Sequence, residues 1–121
     1  MKRDRSAFLW DMQQGCAAIL GFIVDATPER YEQDLLLRSA VERQLQNVGE
    51  ALSQLARLDA DLAGRVPRHR QLIAFRNVLV HGYAALNHGE VWRVLHENLP
   101  ELHAAVSGLL DQVQSQRGSS E

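Results

Sequence analysis

Apolar residues recur along this chain at steps of three and four, the spacing of one face of an α-helix. From Phe8 the positions Met12, Cys16, Ile19 and Ile23 keep that step. "DATPER" then interrupts it, with Thr27 placed as an N-cap and Pro28 in the first turn of a new helix. A longer stripe runs through Leu37, Val41, Leu45, Val48, Leu52 and Leu55, and its outer face carries Arg38, Glu42, Arg43 and Glu50. "DADLAGRVP" ends it, punctuated by Gly64 and Pro67. A third helix is predicted from about Arg68 through Val80. Asn87 followed by Glu90 three residues on resembles a capping box, opening a fourth helix with Val91, Trp92, Leu95 and Leu99. Pro100 either kinks that helix or opens a fifth, whose stripe is Leu102, Val106, Leu109 and Val113. The polar end, residues 113–121, reads as a frayed tail. With no β-like alternation and no repeats, the expected fold is all-α: a small bundle of four to five helices, with residues 1–121 as a single domain.

Composition narrows the class. Of 121 residues, 45% are hydrophobic and 23% charged, which suits a globular protein with a sizeable core. The lone Cys16 excludes an internal disulfide framework and suits a reducing compartment. No apolar run reaches the roughly 18 residues that span a bilayer, and Asp11 and "QQG" interrupt any signal-like start. The expectation is a cytoplasmic protein without a membrane partner.

Charge is unevenly placed. The net charge is −2, yet residues 65–93 hold Arg65, Arg68, Arg70, Arg76 and Arg93 against the single acid Glu90. That segment alone is +4, leaving −6 for the rest. A basic stretch of arginines, each able to fork onto a phosphate, is a local nucleic-acid signal; a solvated basic face is the plainer alternative.

Inside the stretch lies "RNVLVHGY", residues 76–83, in which polar residues bracket Val78, Leu79 and Val80. Arg76 and His81 are five apart, so on one continuous helix they point about 140° from each other. Two routes bring them into one site. Gly82 in the left-handed conformation would end the helix at His81 and let it swing off axis, or a two-fold interface would supply second copies of both. Asn77 and His81 share a face, so Asn77 could fix an imidazole tautomer. Plain helix-end capping by His81 and Asn77 is the competing reading. A cation and a proton carrier without a neighbouring carboxylate or thiol fit phosphate chemistry better than a hydrolase triad.

The other histidines, His69, His88, His96 and His103, show no metal-ligand spacing, so no metal and no cofactor is expected. Neither a Walker-type nor a dinucleotide glycine motif is present. Cys16 is assigned to the core, and Trp10 and Trp92 to packing.

Four blocks together, "LWDM" at 9–12, "AVERQLQNVGEAL" at 40–52, "RNVLVHGY" and "VWRVLHENLPEL" at 91–102, resemble the HepT-like toxins of the HEPN superfamily, from about residue 8 to 113. The resemblance implies a homodimeric HEPN-type bundle that cleaves RNA without a metal. It implies Arg76 and His81 as the catalytic pair, facing their copies in a dimer cleft, with Asn77 in support. Val78, Leu79 and Val80 would then anchor the segment in the core. It further implies a minimal nucleotidyltransferase antitoxin that transfers AMP to Tyr83. Arg65, Arg68 and Arg70 are the candidates to track the RNA backbone into the cleft. The alternative within the resemblance is a non-catalytic accessory subunit that presents substrate or nucleotide to a partner transferase.

Overall fold

The computed structural model describes residues 4–82 and 86–119, with side chains described as far as residue 116 at the C-terminal end. Every regular element among them is a helix. In order these are α1 (Arg5–Ile23), α2 (Pro28–Gln33), α3 (Leu35–Leu58), α4 (Ala60–Ala63), α5 (His69–His81), α6 (His88–Glu97) and α7 (Leu99–Ser119). The two short helices, α2 and α4, fall where the pattern breaks and account for the excess over the four to five expected. Each break carries a cap strong enough to start a turn: Thr27 Oγ1 accepts the Arg30 amide at 3.1 Å, and Asp59 Oδ1 accepts the Leu62 amide at 3.0 Å.

Local signals place the longer helices. Asp34 caps α3 by accepting the Leu37 amide, and Asn87 caps α6 by accepting the Glu90 amide, both at 3.0 Å. The box at α6 is one-sided, since the Glu90 carboxylate is engaged by Arg93 instead. Pro100 opens α7 rather than kinking α6, as Asn98 ends the earlier helix. The segment expected to fray continues as helix to Ser119, because Gln114, Gln116 and Arg117 are good helix formers and Val113 is buried.

The core forms where α1 packs on α3 and α7. Leu9, Met12, Cys16, Ile19 and Ile23 from α1 meet Leu37, Val41, Leu45, Val48, Leu52 and Leu55 from α3, all buried. Each such aliphatic side chain contributes about 1.5–3 kcal/mol when fully buried. Burial also pushes the Cys16 thiol up to about 12, so it stays a neutral packing group. Trp10 departs from the packing role expected of it: it is 51% exposed, one position off the buried stripe. Trp92 does pack, lying 5.5 Å centroid to centroid from the buried Tyr31 and so fixing α2 on α6.

α5 is different. It rests mainly on α3 and has no buried residue. Leu72, Ile73, Phe75 and Leu79 are only partly buried against the core, and Val80 is 46% exposed. Of the triplet 78–80, Leu79 packs against the core while Val80 faces outward, because α5 lies at the rim of the bundle. Beneath it a cavity of about 370 Å³ is lined by Leu45, Leu72, Phe75, Val91, Leu95 and Leu99. Among the described residues no helix is long and apolar enough to cross a membrane.

Candidate functional site

The sequence motif falls on α5, and α5 is placed by a glycine. Gly49 sits inside α3, where a glycine costs roughly 0.5–1 kcal/mol relative to alanine. A Cβ built there would lie 2.4 Å from the Cβ of Arg76, a separation that real side chains do not reach. Only glycine lets α5 come this close to α3, and the stem of Arg76 lies in the notch.

The head of Arg76 is held as well. Its Nη2 pairs with Glu50 Oε2 at 2.6 Å, and its Nη1 donates to Asn77 Oδ1 at 3.2 Å. The other Glu50 oxygen accepts from Gln54 Nε2 at 2.9 Å. Arg76 Nε is buried and has no acceptor among the described residues. Thus Asn77, expected to orient His81, lends its carbonyl oxygen to Arg76. Glu50, expected on a solvated outer face, is the ion-pair partner of the motif arginine. The signal that could have exposed it is Gly49 beside it in "NVGEAL", since a glycine inside a strong helix marks a close approach.

His81 is the last residue of α5. Gly82 follows in the left-handed region at φ 61° and donates its amide to Val78 at 2.9 Å. That is the ending expected of Gly82, and the imidazole sits exposed at the C-terminal end of the helix. Because α5 remains helical through His81, its backbone keeps Arg76 and His81 about 140° apart in projection. Tyr83 lies outside the described residues.

Beside Glu50, α1 and α3 enclose an open groove of about 1080 Å³. Its polar wall includes Gln14, Gln44, Asn47, Glu50, Gln54 and Arg57. Among the described residues, no three His, Cys, Asp or Glu side chains are grouped so as to hold a metal ion.

The local charge of +4 does not survive folding as a free basic face. Arg68 pairs with Glu101 at 3.1 Å, Arg93 with Glu97 at 2.6 Å and with Glu90, and Arg65 donates to Gln112 at 2.7 Å. Acidic and amide groups of α3, α6 and α7 thus meet four of the five arginines, and Arg70 alone has no partner among the described residues. Arg68 stands at the start of α5 in the left-handed region at φ 55°, a conformation uncommon outside glycine. Thirteen residues separate it from His81, roughly 20 Å along the helix. Arg65, Arg68 and Arg70 are therefore gathered at the end of α5 remote from His81.

Comparison with known proteins places the chain in a family. The family described as Ribonuclease HepT-like matches residues 12–109, a span that contains α5 and Glu50. Two Methanocaldococcus jannaschii proteins named "Putative RNase" are similar to the chain: one is 27% identical, covering 87% of this chain and 95% of its own length, and the other is 24% identical, covering 98% of each. A third so named, from Caldanaerobacter subterraneus subsp. tengcongensis, is 26% identical over 91% of this chain and 96% of its own. No solved structure matches the chain.

Proposed function

Because the chain belongs to the HepT-like ribonuclease family, we propose that it is a metal-independent endoribonuclease, the toxin of a toxin–antitoxin system, acting through Arg76 and His81. The observation that carries this reading is the guanidinium fixed one helical turn and a half from an exposed imidazole on α5. That pair offers a charge clamp and a proton carrier.

The reaction proposed uses the nucleophile that RNA itself supplies. A histidine takes the proton of the ribose 2′-OH while its oxygen attacks the adjacent phosphorus. The bond from phosphorus to the 5′ oxygen breaks, and that oxygen leaves with a proton from a second acid. The products are a 2′,3′-cyclic phosphate and a 5′-hydroxyl. Arg76 stabilises the charge that gathers on the non-bridging oxygens. One chain offers one such histidine, on a helix that turns it away from Arg76, so a homodimer with both motifs in one cleft would supply base and acid together. Asn77 supports the arrangement by its bond to Arg76.

Regulation is proposed at Tyr83, one residue beyond Gly82, as the acceptor of AMP from a minimal nucleotidyltransferase antitoxin. A phosphate there would compete for Arg76 and repel the substrate backbone. Arg65, Arg68 and Arg70 would contact RNA only where it extends back along α5.

The test is cleavage of structured and unstructured RNA by wild type, Arg76→Ala and His81→Ala, with EDTA present and with DNA as control. Cleavage of RNA alone, insensitive to EDTA and reduced about 100-fold or more in both variants, is the expected result. Loss of activity in EDTA, or equal cutting of DNA, overturns the scheme. Sedimentation of active protein as a monomer overturns the dimer, and an unmodified Tyr83 after incubation with transferase and ATP overturns the regulation.

A further inference from the structure

We infer that Glu50 is the positioning residue for Arg76, holding its guanidinium in the orientation the phosphate meets, with Gln54 fixing the carboxylate in turn; this rests on the nuclease reading above. Arginine has a long stem whose head can sweep widely. Here it is restrained twice, by the Gly49 notch at its Cβ and by the Glu50 carboxylate at its Nη2. The restraint continues one turn along α3, where Gln54 donates to the second carboxylate oxygen.

Stability does not explain the arrangement. The paired side chains are 27% and 44% exposed, and ion pairs of that exposure contribute little to folding. The same placement leaves Arg76 Nε buried without an acceptor among the described residues, which works against stability. It does suit binding. Of five guanidinium N–H groups, Glu50 takes one, Asn77 one, and Nε–H is buried, so two on the Nη atoms remain for phosphate oxygens. A carboxylate that merely competed with substrate would not need a second side chain to aim it.

Glu50 is also in the wall of the α1–α3 groove, so the residue that pairs with Arg76 also borders that open space.

The experiment measures kcat and KM for RNA cleavage in wild type, Glu50→Ala, Glu50→Gln and Gln54→Ala, and repeats Glu50→Ala in an Arg76→Ala background. Thermal melting of each variant accompanies the kinetics. A misaimed guanidinium predicts a kcat lower by on the order of 10-fold or more in Glu50→Ala with KM nearly unchanged. Gln54→Ala falls less in the same direction. Glu50→Gln, which keeps an acceptor for Nη2, stays nearer wild type. In the Arg76→Ala background the Glu50 change adds nothing. Three results overturn the role: Glu50→Ala cleaving as fast as wild type or faster, an undiminished effect without Arg76, or losses that follow melting temperature rather than kcat. Cleavage that Arg76→Ala abolishes while Glu50→Ala leaves it intact removes the positioning role alone. No cleavage by wild type removes the nuclease reading and this role with it.

Discussion

Helices α3 and α5 lie against each other and carry similar apolar spacing, yet they are held very differently. α3 starts at a carboxylate cap, Asp34, and buries Leu37, Val41, Leu45, Val48, Leu52 and Leu55. α5 starts at Arg68 without a side-chain cap and buries nothing fully. The scaffold helix is fixed by the core, and the helix with the motif is fixed by a glycine notch, an ion pair and half-buried contacts. Such an element sits at the low-stability end of a fold, where binding and conformational change are least costly.

The largest expected effect separates the two helices directly. Leu52→Ala should destabilise by about 2–5 kcal/mol, since a fully buried leucine leaves a cavity that its neighbours cannot close. Leu79→Ala on α5 should cost less than half as much in dilute protein, read from urea midpoints at constant slope. If the proposed dimer covers α5, the Leu79 penalty will grow with protein concentration while that of Leu52 will not. Equal penalties at every concentration would erase the distinction.

A second substitution acts at the seam between the two. Gly49→Ala introduces a methyl where Arg76 already stands and should cost about 1–3 kcal/mol by overpacking. Its catalytic loss should exceed what stability predicts, because the methyl displaces the stem of Arg76 while leaving every polar group in place. Full activity with unchanged melting would mean that α5 slides freely on α3.

What the sequence revealed divides along the same line. The α3 stripe, the Thr27 and Asn87 caps and the Gly82 helix end are patterns contained within a single helix or its end, and each appears as read. The partners of the motif were hidden, because Glu50 and Arg76 are 26 residues apart and meet only through packing. The same holds for Arg68, whose charge is met by Glu101 of α7, and for Arg65, which donates to the neutral amide oxygen of Gln112 on that helix. A segment's formal charge says nothing about acids that folding brings beside it. Trp10 was misplaced for a related reason: aromatic character suggested packing, while its position beside Leu9, about 100° around the helix, turned it outward.

The smallest expected effect comes from the caps and marks the same contrast by pH. The Leu37 amide bonded to Asp34 holds that carboxyl below the usual range, and the Leu62 amide, with Arg5 at 3.1 Å, does so for Asp59. A carboxylate with a folded pKa below its unfolded value, about 3.9 for aspartate, adds stability that is complete above the unfolded value. The contribution drains away as pH falls through the lower folded value. Acid should therefore loosen the starts of α3 and α4 first. α5 starts at Arg68 and has no carboxylate cap, so its first amides lack this direct effect. Asp34→Asn with Asp59→Asn keeps side-chain oxygens for capping but removes the titration. The double variant should be slightly less stable at pH 7, having lost the pair with Arg5, and should lose less of its remaining stability than wild type below about pH 4. Hydrogen exchange at the first amides of α3 and α5, corrected for the intrinsic pH dependence, reads this directly. Acid-enhanced opening at α3 that the double variant abolishes is the expected result, and the same opening persisting in the variant would assign the acid sensitivity to other carboxylates.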